Sequence, residues 1–149
     1  MTREQEIQTA LKAAFLAALE TAGITNTKVY AIKLDNAEDN DEDAESYPVI
    51  VINTSTPVPQ GHKSYILEFP CWIQVQIFSA DDKKREDFSF LSEIVFNVLD
   101  GVDDWTEYEV EDAAQEINAV MINSSEEPAT DGVILIQTTN CTIHANKNS

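Results

Sequence analysis

The sequence predicts an α+β fold, a two-layer sandwich in which two helices cover one face of a mixed or antiparallel sheet of about five strands. Along Tyr65–Ser79, every second residue from Leu67 to Ile77 is apolar, which is typical of a strand with one buried face. The apolar spacing then changes to three and four residues from Phe88 to Leu99, which indicates an amphipathic helix. A length of 149 residues, 43% of them hydrophobic, fits a single domain covering the whole chain.

The segment before this strand predicts a helix and two strands. Thr2–Gln5 has the pattern of a capping box. One face of the following helix is apolar at helical spacing: Ile7, Leu11, Ala14, Phe15, Ala18 and Ala22. Gly23 is expected to end that helix. Lys28–Leu34 predicts a strand with Tyr30, Ile32 and Leu34 on one side. The β-branched run Val49–Ile52 predicts a strand covered on both faces, and Thr54–Ser64 predicts a loop.

The segment after the central helix predicts two further strands. Val102–Asp112 is expected to be irregular, with its aromatic residues Trp105 and Tyr108 folded back as anchors. Glu116–Asn123 predicts a strand, and simple alternation sorts its apolar residues into two faces: Ile117, Ala119 and Met121 against Val120 and Ile122. Ser124–Asp131 is expected to be a hairpin loop.

Gly132–Ile143 predicts the last strand, and residues 144–149 are expected to be a flexible tail. The predicted order is therefore α-β-β-β-α-β-β. With both helices on one face of the sheet, the other face stays partly apolar through Trp72 and Phe78. An uncovered apolar face favours the formation of an oligomer.

The net charge of -18, from nine basic and 27 acidic residues, excludes several classes of partner. Specific binding to nucleic acid requires clustered Lys and Arg, and attraction to an anionic membrane surface requires the same. No apolar run is long enough to span a membrane, and no signal peptide is visible. We therefore expect a protein that is made in a cytoplasm and binds neither nucleic acid nor membranes.

The segment 35–45 is an acidic loop with seven carboxylates: Asp35, Glu38, Asp39, Asp41, Glu42, Asp43 and Glu45. The alternate carboxylates from Asp39 to Asp43 match the first ligands of a calcium loop. However, Ala44 stands where that loop has glycine, and Ile50 where it has glutamate. We therefore predict no metal site. The remaining interpretations are a solvated loop and a loop that meets a partner or lines a passage.

No pattern predicts a catalytic site, a cofactor or an enzyme. Cys71 and Cys141 are too few for a disulfide framework and are expected to be buried thiols. His62 and His144 lie far apart in the sequence, and no zinc spacing is present. Nucleophile, dinucleotide and phosphate-loop motifs are also absent from the sequence.

Two groups of residues are candidates for an interface. Trp72 and Phe78 lie on the mixed face of the central strand, where aromatic side chains stack on ligands or anchor contacts between proteins. Lys83, Lys84 and Arg85 lie in the first turn of the predicted helix. They either keep the surface solvated or dock onto an acidic neighbour, including the acidic loop of an identical subunit.

The layout of the chain resembles the tail terminator proteins of tailed bacteriophages. The resemblance lies in a leading helix, two strands including Tyr47–Ile52, a loop, and the strand segment Cys71–Ala80 followed by an amphipathic helix. It covers Glu4 to about Ile143 and involves no catalytic signature. The acidic segment 35–45 and the acidic stretch Val102–Asp112 depart from the family pattern.

This resemblance implies a structural protein of the virion, assembled in the cytoplasm of the bacterial host and located at the junction of tail and head. Such proteins form a hexameric ring on the finished tail tube, which stops the addition of tube subunits and provides the surface that joins tail to head. The implied partners are further copies of the chain, the tail tube protein and the head connector. An acidic pore would let DNA pass without sticking.

Two alternatives remain open. The first is another neck, head-completion or minor tail protein of the same kind of virion. The second is a small cytoplasmic enzyme whose site forms only in the folded chain. A deep pocket with converging polar groups would favour the enzyme, whereas a ring would favour the terminator.

Overall fold

The computed structural model describes residues 1–35, 47–60, 66–78 and 84–148. Within these ranges two helices and seven strands form an α+β fold, and the predicted fold class is confirmed. The helices are α1 (Arg3–Thr21) and α2 (Lys84–Gly101). The strands are β1 (Lys28–Ala31), β2 (Val49–Thr54), β3 (Val58–Gln60), β4 (Ile66–Phe78), β5 (Gln115–Ser125), β6 (Ala129–Asp131) and β7 (Ile134–Lys147).

The sheet is mixed and has the strand order β1-β2-β4-β7-β5. Strand β1 pairs with β2 in parallel, and the other pairings are antiparallel. The short strands β3 and β6 add to β4 and β7, respectively. The central contact is between β4 and β7, which pair without a break from Ile66↔Asn146 to Phe78↔Ile134.

Both helices lie on the same face of the sheet, as the sequence predicts. The odd-numbered residues of β4 from Leu67 to Ile77 are buried in one core cluster with residues of both helices. The large core side chains of the helices include Ile7, Leu11 and Phe15 from α1, and Phe88, Leu91, Val95 and Leu99 from α2. Because all of them pack on one side of β4, the opposite face carries no helix among the described elements.

Helix α1 begins and ends where the sequence predicts. The backbone N–H of Gln5 donates to the Thr2 hydroxyl at 3.2 Å, and the Thr2 N–H donates to the Gln5 side chain at 2.9 Å, which completes the capping box. Gly23 follows the helix with a φ of 74°, a left-handed conformation that glycine adopts at little cost.

A buried amide ties α1 to the sheet. The Gln8 side chain is fully buried and donates to the Thr54 hydroxyl at 3.0 Å. Its oxygen accepts the backbone N–H of Lys33 at 2.9 Å. This one side chain therefore joins the helix to the end of β2 and to the turn after β1.

The first strand is shorter than predicted, ending at Ala31 instead of Leu34. The Asp35 carboxylate accepts the Ala31 N–H at 2.8 Å, and the Leu34 N–H donates to the Ala31 carbonyl at 3.0 Å, which closes a turn. An ion pair with Lys12 at 2.8 Å holds the same carboxylate. The predicted common face of Tyr30, Ile32 and Leu34 is therefore wrong, because the backbone turns after Ala31.

Two short strands occur where the sequence predicts loops. Val58–Gln60 pairs with β4 although it contains Pro59, which has no backbone N–H to donate. An edge strand tolerates proline because the backbone groups on its outer side need no partner. Ala129–Asp131 pairs with the start of β7 across a turn in which Gly132 has a φ of 59°. These strands raise the number from the predicted five to seven.

The face assignment predicted for β5 is wrong. The β5–β7 register shifts between Ile117 and Ala119 and again between Ile122 and Ser124. An extra residue in a strand moves the following side chains to the other face. As a result, Ile117, Val120 and Ile122 all pack on the core, whereas Ala119 and Met121 do not.

The predicted flexible tail is also wrong for the residues that the structure describes. Strand β7 continues to Lys147, and residues 144–147 pair with β4 or β5 or both. The Asn148 N–H then donates to the Ala114 carbonyl at 2.9 Å. The strand extends this far because β4 and β5 supply backbone partners beyond Ile143.

The prediction that aromatic residues anchor the segment before β5 is confirmed. Trp105 is buried, and its ring meets Tyr108 edge to face at 6.0 Å.

We predict that Gln8→Ala lowers the free energy of unfolding by about 2 kcal/mol, because the Lys33 N–H loses its acceptor inside the fold. Urea unfolding followed by circular dichroism measures the change. The matched control is Glu20→Ala, which removes an exposed side chain from the same helix and should leave stability within about 0.5 kcal/mol of the parent. Equal effects of the two substitutions would contradict the role given to Gln8.

Candidate functional site

The helix-free side of the sheet is the candidate functional site, and we call it the open face. It consists of the even-numbered residues of β4 and β7 and the neighbours paired with them on the same side in β2 and β5. Trp72 lies near its centre, because its register partners are Asn53 in β2 and Asn140 in β7. Asn140 is in turn the partner of Ser124 in β5. The side chain of Trp72 is half-buried.

One end of the open face is apolar and partly covered. A second hydrophobic cluster contains Tyr30, Tyr47, Val49 and Val51, with Trp72, Phe78 and Ile134 packed against it. The rings of Tyr47 and Phe78 meet edge to face at 5.3 Å. One side of the Phe78 ring therefore packs against Tyr47, and the side chain is half-buried. Trp72 extends the apolar surface toward the middle of the sheet.

The middle of the open face is polar and neutral. The Gln76 amide donates to Gln74 at 2.9 Å, and the Gln74 amide donates to the Thr138 hydroxyl at 3.3 Å. Toward β5, Asn140 donates to the Ser124 hydroxyl at 3.2 Å. These bonds orient the amides across neighbouring strands, so that the surface around Trp72 is an ordered layer of amide and hydroxyl groups.

Strands β2, β4, β5 and β7 carry no formal charge in this middle region. Between the row of Gln76 and the row of Pro70, their described open-face residues include no Asp, Glu, Lys or Arg, whereas Lys28 of β1 lies at one margin of the Gln76 row and Glu126, after β5, lies beside Thr138 at the other side. The first ionisable side chains along β4 and β7 are Glu68 and His144, which lie 3.8 Å apart. In a chain with a net charge of -18, a neutral surface spanning several strands is a distinct feature.

The other predicted site residues divide between described and undescribed parts of the chain. Of the acidic loop, the structure describes only Asp35. Its carboxylate forms an ion pair with Lys12 and accepts a hydrogen bond from the Ala31 N–H. The remaining acidic residues lie outside the described ranges: Glu38, Asp39, Asp41, Glu42, Asp43 and Glu45. Lys83 also lies outside them. Lys84 and Arg85 begin α2, but their side chains are outside the described part.

A second cluster of ionisable groups lies where the chain enters β5. A surface cleft of about 560 Å³ is lined by residues that include Glu109 and Glu116. The Glu109 carboxylate accepts the Ile117 N–H at 3.0 Å, and the Glu6 carboxylate accepts the Ala114 N–H at 3.2 Å. These acidic groups therefore hold the start of β5 in place. In the part of the chain that the structure describes, no group of three metal-ligating side chains converges.

The two cysteines are buried, as the sequence predicts, and they are also neighbours. Cys71 in β4 and Cys141 in β7 are direct register partners. Hydrogen bonding with the Cys141 thiol, followed by burial, raises the pKa of Cys71 well above its ordinary value. A protonated, buried thiol is a poor nucleophile, so Cys71 is not in the state that covalent catalysis requires.

No protein-family model matches the sequence, and no curated protein matches it. Neither helix, over the residues described, combines the length and the apolar character that a bilayer span requires.

We predict that Glu109→Gln stabilises the chain at pH 7 but not in acid. Burial, reinforced by Glu116, Asp104 and Glu6, raises the pKa of Glu109 above its ordinary value of 4.5. Ionisation of this group therefore costs the folded state stability as the pH rises from 4.5 through the raised pKa.

The glutamine side chain carries no charge and keeps an oxygen that can accept the Ile117 N–H. Urea unfolding should show equal stability of parent and variant below about pH 4. At pH 7 the variant should be more stable by less than about 1 kcal/mol, because the site is partly solvated. Glu111→Gln, which removes an exposed charge from the same segment, is the control. A pH-independent difference for Glu109→Gln would contradict the prediction.

Proposed function

We propose that this chain is a structural protein of a tailed-phage virion that caps the tail tube as a ring. In this role it ends polymerisation of the tube and provides the surface that joins tail to head. Its partners are further copies of itself, the tail tube protein and the head connector, and it is not an enzyme. The proposal starts from the layout that resembles tail terminators, a central strand followed directly by an amphipathic helix.

The neutral open face is the observation that carries the proposal. Contact between two copies of a chain with a net charge of -18 brings carboxylates together over most of the surface. Apposed like charges at an interface oppose association. The middle of the open face avoids this repulsion, and Trp72 offers an aromatic anchor there.

A ring also requires a second surface, because its contacts are head-to-tail and join two different patches. The outer sides of the helices carry large apolar residues that the single chain leaves uncovered. Leu16 is 44% exposed, Phe90 is 49% exposed and Phe96 is 46% exposed. These side chains suit contact with the open face of the next copy or with the tube and the connector.

The alternatives make different demands on the molecule. Another neck or head-completion protein would share the acidity and the small α+β fold but would bind the connector and leave tube ends free. A small cytoplasmic enzyme would require reactive groups that converge in a cleft. In the described cleft beside β5, the Glu109 carboxylate instead accepts a hydrogen bond from the backbone N–H of Ile117. This contact stabilises the fold, which favours the structural role.

The test is assembly of the purified chain, alone and with tail tubes of the virus that encodes it. Native mass spectrometry should detect rings of six copies, and electron microscopy should show the tagged chain at tube ends, with further growth stopped. A chain that stays monomeric alone and also leaves tube ends unlabelled would overturn the proposal. Exclusive binding to purified connectors would instead select the head-completion alternative.

We predict that Thr142→Glu weakens assembly at least about tenfold, because it places a carboxylate on the neutral open face. Analytical ultracentrifugation of the chain, or binding to tube ends, measures the loss. Thr25→Glu adds the same charge at an exposed site after α1 and should assemble as the parent does. Equal effects of the two substitutions would show that net charge, and not the open face, governs assembly.

A further inference from the structure

The core contains one directly opposed pair of cysteines among the described residues. Cys71 lies in the middle of β4, and Cys141 is its partner in the unbroken pairing with β7. Directly opposed residues of antiparallel strands project their side chains to the same side of the sheet. Both thiols therefore lie on the helix-covered face, where Cys71 is 6% exposed and Cys141 is 1% exposed.

The backbone pattern fixes the spacing of this pair. The Pro70 carbonyl accepts the Ser55 N–H, so the backbone polar groups of Pro70 point away from β7. The Thr138 carbonyl accepts the Glu126 N–H and points away from β4. Since these directions alternate along a strand, the backbone groups of Cys71 and Cys141 point toward each other.

Such a hydrogen-bonded pair has Cα atoms about 5.5 Å apart. Disulfides span Cα separations of about 4.4–6.8 Å, most often about 5.5–6 Å. The register therefore already places the two Cα atoms within the range of separations that a disulfide spans. Two cysteines on unpaired strands, or on opposite faces, would not have this property.

We propose that Cys71 and Cys141 form a dithiol site that a small organic disulfide, such as oxidised glutathione, converts to an intramolecular disulfide joining β4 to β7. This inference is independent of the proposed function. In the first step a cysteine thiolate attacks the small disulfide, forms a mixed disulfide and releases one small thiol. In the second step the other cysteine thiolate attacks the mixed disulfide and expels the second small thiol.

The reaction is balanced in atoms and electrons. Two protein thiols lose two protons and two electrons, and one small disulfide is reduced to two thiols. Because both cysteines are buried, the first step requires local opening of the sheet or of its helical cover, and the reaction is slow in the folded chain. The second step is intramolecular, because re-pairing of β4 with β7 brings the remaining thiol back to the mixed disulfide.

The bond would crosslink the two longest strands of the sheet and close a long loop between them. A crosslink across a long loop restricts the unfolded chain, and the expected Cα separation of the pair is one that disulfides commonly have. We expect the Tm of the oxidised chain to exceed that of the reduced chain by about 5–10 °C.

The test incubates the reduced, folded full-length chain with oxidised glutathione at about pH 8, where a solvent-exposed thiol of the locally opened chain is partly ionised. Intact mass should fall by two hydrogen atoms, non-reducing peptide mapping should link Cys71 to Cys141, and thermal unfolding should shift upward. Added dithiothreitol should reverse all three changes.

The control variants are Cys71→Ala and Cys141→Ala. Each retains one thiol, so each takes up at most one glutathione and shows no rise in Tm on oxidation. Should either variant fail to fold, the peptide link in the parent chain still decides the question. Two glutathione adducts on one chain, a disulfide-linked dimer, or two free thiols after prolonged oxidation of the folded chain would each overturn the proposal.

Discussion

The unbroken pairing of β4 with β7 is the interaction on which the other elements depend. It places the two longest strands at the centre of the sheet, with β2 bonded on one side and β5 on the other. The alternation along β4 then decides which residues meet the helices. Since the register is continuous over the whole of β4, a slip by one residue would expose the entire apolar row from Leu67 to Ile77. Burial of that row against α1 and α2 therefore fixes the register.

The same alternation gives the two faces of the sheet different chemistry. The covered face is filled by aliphatic residues, four buried aromatic residues and the cysteine pair, and it accounts for the stability of the domain. The open face carries Trp72 within a layer of neutral amides and hydroxyls. One strand thus supplies core residues on one side and, on the other, the surface that the proposed ring protein would use for contacts. Because proteins with many different functions share the same fold, the assembly experiments, and not the fold, would assign this chain to a family.

Local sequence patterns predicted the helices and the core. Features that depend on pairing between strands distant in sequence could not be predicted. The capping box at Thr2–Gln5 and the change of period after β4 predicted both helices, because each depends only on neighbouring residues. The faces of β5 could not be predicted, because the bulge after Ile117 has no distinctive residue pattern. The end of β7 depends on partner strands that are distant in sequence. For the same reason, Trp72 could be assigned to the mixed face, but its neutral surroundings and the proximity of Cys71 to Cys141 required the strand order.

Among the described residues β1 and β5 are the edge strands of the sheet, and their geometry has a consequence for how the chain behaves at high concentration. Strand β1 offers four residues, and β5 is interrupted twice by register shifts. Short or irregular margins are poor templates for a strand from another molecule, so open-ended growth by sheet extension is disfavoured. Fibrous aggregation by strand addition is therefore disfavoured, and association through the open face, as the proposed ring requires, would give closed complexes of finite size.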